Sequence, residues 1–377
     1  LPPPLHQPEA PPRRRNPSRS ALTSCPSAQR TWPIYVSLNL MQDQKLTIIP
    51  LGGLGEFGMN ILALRYGDDI VVIDAGMMFP EAELLGVDVV IPDISYLLEN
   101  SEKVRAIVLT HGHEDHISAL GYLLRERADI PVIGSALTLA FAKGKLRDHR
   151  INPITIEVKE GQRRKVDPFE LEFVAVNHSI PDALAVVIRT PAGVVLHTGD
   201  FKMDQLPLDG RTTDLARFAA LGNKGVDLFM VDSTNADIPG FTTSEREIMP
   251  VLDRVIAASK RRIIVASFAS HVHRVQQVID IAFQHNRKVA FIGRSMVRNM
   301  SLASEMGYLH IPPNTLVDED EIDAIGDLVV LICTGSQGEP LAALSRMANG
   351  DHRIRVGDGD TVILASSLIP GNENAVY

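Results

Sequence analysis

Apolar residues along this chain come in short, dense runs. Leu46–Leu51, Ile61–Arg65, Ile70–Asp74 and Val104–Leu109 come first, then Leu171–Val176, Ala185–Arg189, Val194–His197 and Leu228–Val231. Turns rich in Gly and Asp separate them, so each run is predicted to be a buried strand. Ile117–Arg127 and Ser135–Leu146 carry helical spacing instead. Many strands with occasional helices predict two sheets packed face to face with helices outside, an α/β sandwich. The Gly-rich stretch LGGLGEFG at 51–58 lies between two strands and lacks the Lys of a phosphate loop, so a tight hairpin turn is expected there. After Asp232 the rhythm changes. Strands expected at Arg262–Phe268, Lys288–Ile292, Leu328–Cys333 and Thr361–Ala365 alternate with helices expected at Ser244–Ser259, Arg274–Gln284, Met296–Met306 and Pro340–Ala348. That alternation predicts βαβ units and a parallel sheet, with a domain boundary near residues 233–240. No internal repeat is visible.

The length of 377 residues fits two domains, and 45% hydrophobic with 22% charged residues is the composition of a globular protein. No apolar run approaches the ~18 residues of a membrane span. The two cysteines, Cys25 and Cys333, make no disulfide framework, which argues for a reducing, cytoplasmic setting. Residues 1–40 are rich in Pro, Ser and Arg without periodicity and are expected to be a disordered tail, with Met41 as the natural start. The tail holds five Arg and one Glu, so a net charge of −9 overall leaves −13 on the remainder. An acidic body argues against a protein that coats duplex nucleic acid, but not against local attraction of phosphate by metal and a few cations.

The chemistry concentrates in His111-Gly112-His113-Glu114-Asp115-His116, directly after the strand Ala106–Leu109. With His at 12 of 377 residues, such a pattern should arise by chance roughly once in a thousand chains of this length. Imidazole nitrogen and carboxylate oxygen suit zinc or a similar divalent ion. His111 and His113 can reach one metal, while Asp115 and His116 are offset toward a second. The remaining ligands must come from other strand ends. His178 follows one strand, Asp200 another, and Asp74 closes a third, with Asp200 the choice for a carboxylate between two ions. Such a pair ~3.5–4 Å apart activates water and clamps a phosphodiester.

These residues, in this order, resemble the metallo-β-lactamase fold, and the α/β segment after Asp232 resembles the β-CASP subgroup. Longer stretches resemble the ribonuclease J family: LGGLGEFGMN at 51–60, THGHEDH at 110–116, HTGDFKMDQ at 197–205, VDSTNA at 231–236, HVHRVQQ at 271–277, GRSMVRNM at 293–300 and CTGSQGEPLAALSRMANG at 333–350. The resemblance implies an α/β architecture in which a metallo-β-lactamase αββα sandwich (41–232) carries an inserted parallel-sheet β-CASP domain (233–370), with 371–377 starting the return. It implies two divalent ions, zinc or in its place manganese. His111, His113 and His178 would bind one, Asp115 and His116 the other, and Asp200 would bridge. Asp74 would support the cluster from behind, and Asp232 and His273 would face the scissile phosphate. Arg294 and Ser295, opening a helix after a strand, could meet an RNA phosphate through backbone N–H groups. His197 reads as a core histidine.

The implied activity is 5′-to-3′ exonuclease and endonuclease cleavage of RNA in maturation and decay. The implied partners are RNA, a homodimer or homotetramer of the chain, and other RNA-decay proteins, with no membrane. The family pattern HEDHIGALPYLL appears here with Ser118 and Gly121, changes expected to touch the helix and not the ligands. The family also has a Ser-Gly-His element, a later ligand His and a C-terminal domain beyond the position of Tyr377, so a fragment of reduced or no activity is expected. Two rivals stand beside the nuclease: a thioester or lactone hydrolase of the same fold, which the RNA-sized insert argues against, and a non-catalytic RNA-binding or assembly fragment.

Overall fold

The structure, a computed structural model, describes residues 36–38, 45–78, 86–87, 89–369 and 372–376. Its first sheet runs in chain order through seven strands: β1 (Val36–Leu38), β2 (Leu46–Gly52), β3 (Ile61–Tyr66), β4 (Asp69–Ile73), β5 (Val104–Val108), β6 (Val132–Gly134) and β7 (Thr155–Glu157). Pairing is antiparallel from β1 to β4 and parallel from β4 to β7. A second sheet holds β8 (Arg163–Val166), β9 (Phe169–Ala175), β10 (Leu184–Thr190), β11 (Gly193–His197) and β12 (Leu228–Met230), in the order β12-β11-β10-β9-β8.

Side chains alternate across each strand, and here both faces are apolar. Leu64, Val71, Ile73 and Val108 point inward against Phe169, Phe173, Val186 and Ile188 of the second sheet. Ala63, Val72 and Ile107 point outward under Leu120, Leu137 and Phe141 of the covering helices. Helix Leu215–Lys224 covers the outer face of the second sheet through Phe218 and Leu221. Four layers result, helix–sheet–sheet–helix, as the hydrophobic pattern predicts.

The third sheet is β13 (Ile263–Ala266), β14 (Lys288–Ile292), β15 (Val329–Cys333) and β16 (Thr361–Leu364), all parallel in the order β14-β15-β13-β16. Helices Met249–Ala258, Val272–Gln284 and Arg294–Glu305 pack on one face, and Ala343–Asn349 on the other. Apolar residues of this region share one core cluster with the helical side of the first sheet. Arg298 Nη1 also crosses over, donating to Gly144 O and Asp148 Oδ2, both at 3.2 Å, and the Tyr308 hydroxyl donates to Asp182 in the loop after His178.

Several expectations are corrected. Val36–Leu38 pairs with β2, so the expected tail to residue 40 includes a strand; Trp32 and Met41 lie outside the described residues. The helix expected at Ile117–Arg127 is two short ones, Glu114–Ile117 and Leu120–Leu124, broken at Ser118. Ser118 donates back to Glu114 at the start of the first of these helices, and Gly121 packs on the His149 ring. The link between β2 and β3 is not a tight turn but the whole stretch 53–60, and it ends on Asn60 at the candidate site.

Candidate metal centre

The first and second sheets bring four strand ends together: β4 with Asp74, β5 with His111–His116, β9 with His178 and β11 with Asp200. Close backbone packing makes this possible. Ala75 N donates to His116 O (2.8 Å), and Asn60 N donates to Asp115 O (3.1 Å). A Cβ on Gly76 would lie 1.5 Å from Asp115 O, so only glycine fits there. Gly199, at φ +59°, plays the same part before Asp200, since a Cβ there would stand 2.9 Å from Thr110 Cβ.

Two donor sets result. His111, His113 and His178 offer atoms within 4.8 Å of one another, and so do His111, His116 and Asp200. His111 Nε2 lies 3.1 Å from His113 Nδ1, which lies 3.1 Å from His178 Nε2. Three imidazole nitrogens meeting face to face fit a shared cation, since nitrogens on a tetrahedral zinc sit about 3.3 Å apart. The far side of two rings is already engaged: His111 Nδ1 with Thr110 Oγ1 at 3.0 Å, and His113 Nε2 with Ser179 Oγ at 3.2 Å. Those contacts place the ring proton away from the centre and leave the inner nitrogen free to ligate. Burial, with the neighbouring imidazoles, pushes His111 and His113 well below the ordinary value. His178, desolvated and beside His116, is held down at about 4 despite Asp200.

The second set is organised by Asp74, buried and in the left-handed region at φ +60°. Its Oδ1 accepts from Thr110 N (2.7 Å), and its Oδ2 accepts from Thr110 Oγ1 and His116 Nδ1, each at 2.8 Å. His116 Nε2 therefore faces inward, 3.3 Å from Asp200 Oδ2, 3.6 Å from Asp115 Oδ2 and 3.0 Å from Asn60 Nδ2. Burial opposes charge on His116, but Asp200, Asp115 and Asp74 outweigh it and raise it well above its ordinary value. Asp200 is held well below the carboxylate range. Burial works against that, and His116 overrides it. Asp200 Oδ2 also lies 3.9 Å from His178 Nε2, between the two sets. Asp115 belongs to neither set by distance. Its side chain is 39% exposed, and its Oδ2 takes the Asn60 amide at 3.2 Å.

Asp232 follows β12, and its Oδ2 accepts from Phe201 N at 3.4 Å, one residue beyond Asp200. His273, the second residue of helix Val272–Gln284, is buried with Nε2 3.2 Å from Asp209 Oδ2. His197 is half-buried in β11, where its Nδ1 accepts from Gly199 N at 3.0 Å. Arg294 and Ser295 open a helix at the carboxyl end of β14, with Arg294 exposed. A buried ionic group joins the two regions. Glu245 accepts from Lys202 Nζ (2.9 Å) and Arg274 Nε (2.9 Å), and its own N donates to Asp204 Oδ2 (2.9 Å). Nearby, Ser267 Oγ, Ser336 Oγ and His271 Nε2 are buried without a hydrogen-bond partner among the described residues. Sequence reasoning did not single out Asn60, Thr110 or Ser179. The signals available for them were adjacency to His111 and His178 and, for Asn60, the end of a Gly-rich loop.

A helix–sheet–sheet–helix sandwich that gathers His and Asp at its strand ends is the metallo-β-lactamase class, which uses divalent metal. The model described as "Metallo-beta-lactamase superfamily" matches residues 54–223, and "Ribonuclease J, beta-CASP domain" matches 260–377. Ribonuclease J of Mycolicibacterium smegmatis is 51% identical over 334 residues, 88% of this chain and 60% of that protein. Ribonuclease J of Thermus thermophilus is 46% identical over 338 residues, 87% and 59% respectively. A crystal structure of a protein of unknown function from Enterococcus faecalis V583 shares the fold, at TM-score 0.56 and 17% identity over 76% of each chain. The chain belongs to the ribonuclease J family, and it spans 46–60% of the length of the curated relatives it matches.

Proposed function

We propose that the complete protein hydrolyses RNA phosphodiesters, by 5′-to-3′ exonuclease and endonuclease action, with two divalent ions. The observation that carries this reading is the pair of donor sets sharing His111, with Asp200 Oδ2 between His116 and His178. His111, His113 and His178 would hold one ion, His116 and Asp115 would hold the other, and Asp200 would serve both. Zinc suits the imidazoles, and manganese is the alternative where oxygen donors dominate. When bound, such a pair supplies Lewis acidity at the phosphate and lowers the pKa of water. The chain's own residues do the rest. Asp74, Thr110 and Ser179 fix the rings, while Asp232 and His273 assist at the phosphate. Arg294 and Ser295 receive RNA. Both open a helix at the carboxyl end of β14, and open parallel sheets take ligands at that edge.

The reading includes two domains, 41–232 and 233–370, supported by the separate parallel sheet. It also includes a cytoplasmic enzyme acting as a homodimer or homotetramer with other RNA-decay proteins. No helix of the described residues is long and apolar enough to cross a membrane. The test is turnover of 5′-monophosphorylated RNA beside thioester and lactone substrates. RNA cleavage should depend on added divalent metal, and Asp232→Asn and His273→Ala should lower it about 10²–10⁴-fold with metal content unchanged. Thioester or lactone turnover without RNA cleavage would overturn the reading, and loss of metal in either variant would show its role to be misassigned.

A further inference from the structure

His273 and Asp209 come from segments 64 residues apart, yet His273 Nε2 and Asp209 Oδ2 meet at 3.2 Å. The carboxylate is fixed at both oxygens, because Oδ1 accepts from Arg211 N at 2.9 Å. Arg211 in turn grips the loop that carries His178. Its Nη1 donates to Val176 O and its Nη2 to Ala183 O, both at 2.9 Å, while Asn177 Nδ2 donates to Arg211 O at 3.3 Å. Residues 209–211 therefore join the inserted region's histidine to the loop of a metal-ligand histidine.

We infer that Asp209 is a positioning residue that keeps the ring proton of His273 on Nε2, leaving Nδ1 as the nitrogen offered to substrate. The chemistry follows from the donor inventory. A carboxylate only accepts, so the nitrogen facing it carries hydrogen, and a neutral imidazole then has its lone pair on the other nitrogen. Burial of His273 removes water as a competing partner. Partial desolvation works to raise the Asp209 carboxyl, yet the hydrogen bond and charge of His273 hold it below the ordinary range, so it stays an acceptor.

The inference rests on the reading that His273 acts at the phosphate, and the test separates the two. In the complete protein with isotope-labelled histidine, nitrogen NMR should show the signal lost in His273→Gln to be the Nε2–H tautomer. Asp209→Ala should erase that preference and lower kcat on 5′-monophosphorylated RNA about 10- to 100-fold, the range over which such partners tune a histidine. KM and metal content should hold. Asp209→Asn, whose amide oxygen can still accept from Nε2–H, should keep the tautomer and recover most of the rate. An Nδ1–H tautomer in the wild type would overturn the inference. So would full kcat in Asp209→Ala when His273→Ala is impaired. Full activity in His273→Ala would instead overturn the phosphate role, while the tautomer still reports on Asp209.

Discussion

The two donor sets of the candidate metal centre share His111 and are otherwise built from different materials. The half formed with His113 and His178 is a cluster of imidazoles steadied by single hydroxyls, Thr110 on His111 and Ser179 on His113. Desolvation drives its histidines toward the neutral form. The half formed with His116 and Asp200 is anchored by Asp74, a buried carboxylate whose two oxygens accept three hydrogen bonds. Carboxylates surround His116 and favour its charge. The contrast teaches that one centre can combine a neutral corner, defined mainly by shape, with an ionic corner defined by orientation. Asp200, reaching toward both, is the element that makes them one site.

The sharpest way to break this picture is at the shared residue. His111→Ala should empty the neutral corner, weaken the ionic corner beside it and cut phosphodiester cleavage by at least about 10²–10³-fold, read by elemental analysis beside kinetics. Full metal content in this variant would mean that His111 serves neither corner. Asp74→Asn should come next. An amide cannot accept all three hydrogen bonds, so affinity at the ionic corner should fall about 10–100-fold and stability by about 2–3 kcal/mol. Ser179→Ala touches only the neutral corner through one hydroxyl and should cost less than about tenfold there. Equal losses in these two variants, by competitive metal titration, would erase the proposed difference between anchored and loosely held halves.

The smallest effect on the centre belongs to another buried carboxylate, Glu172 of β9, which pairs with Arg189 (2.7 Å), Arg163 (3.3 Å) and Arg217. Burial works to raise Glu172, but the arginines outweigh it and hold it below its ordinary value of 4.5. A depressed carboxyl stabilises the fold above its unfolded value and loses that contribution as pH falls through the folded one. Glu172→Gln should therefore lower stability by about 1–3 kcal/mol near neutral pH, converging with the wild type below the carboxylate range, with metal content untouched. A gap in melting temperature that persists in acid would show that packing, not charge, sets its contribution.

How much of this was legible depends on how far apart the cooperating residues lie. His111, His113, Asp115 and His116 fall within six positions after a strong strand, so spacing alone pointed to a candidate metal site. His178, Asp200 and Asp74 were visible as strand-end residues and gained meaning only beside that cluster. Thr110, Ser179, Asn60 and Asp209 were not singled out, because Ser, Thr, Asn and Asp at turns look the same whether they cap a backbone or orient a ligand. The fold divides the same way. Long apolar runs such as β9 and β10 were expected close to their observed bounds. β8, the exposed edge strand Arg-Arg-Lys-Val, carries no hydrophobic pattern, and β6 and β7 are three residues each. Such strands exist because a neighbour pairs with them, which the local sequence does not record.

The central claim is that two distinct corners bind metal and meet at Asp200. Its most direct test is metal content of the complete, freshly purified protein, measured beside its His116→Ala and His178→Ala variants. The wild type should carry close to two divalent ions per chain, and each variant should retain the ion of the untouched corner. One ion in the wild type, or the same loss from both variants, would contradict the account.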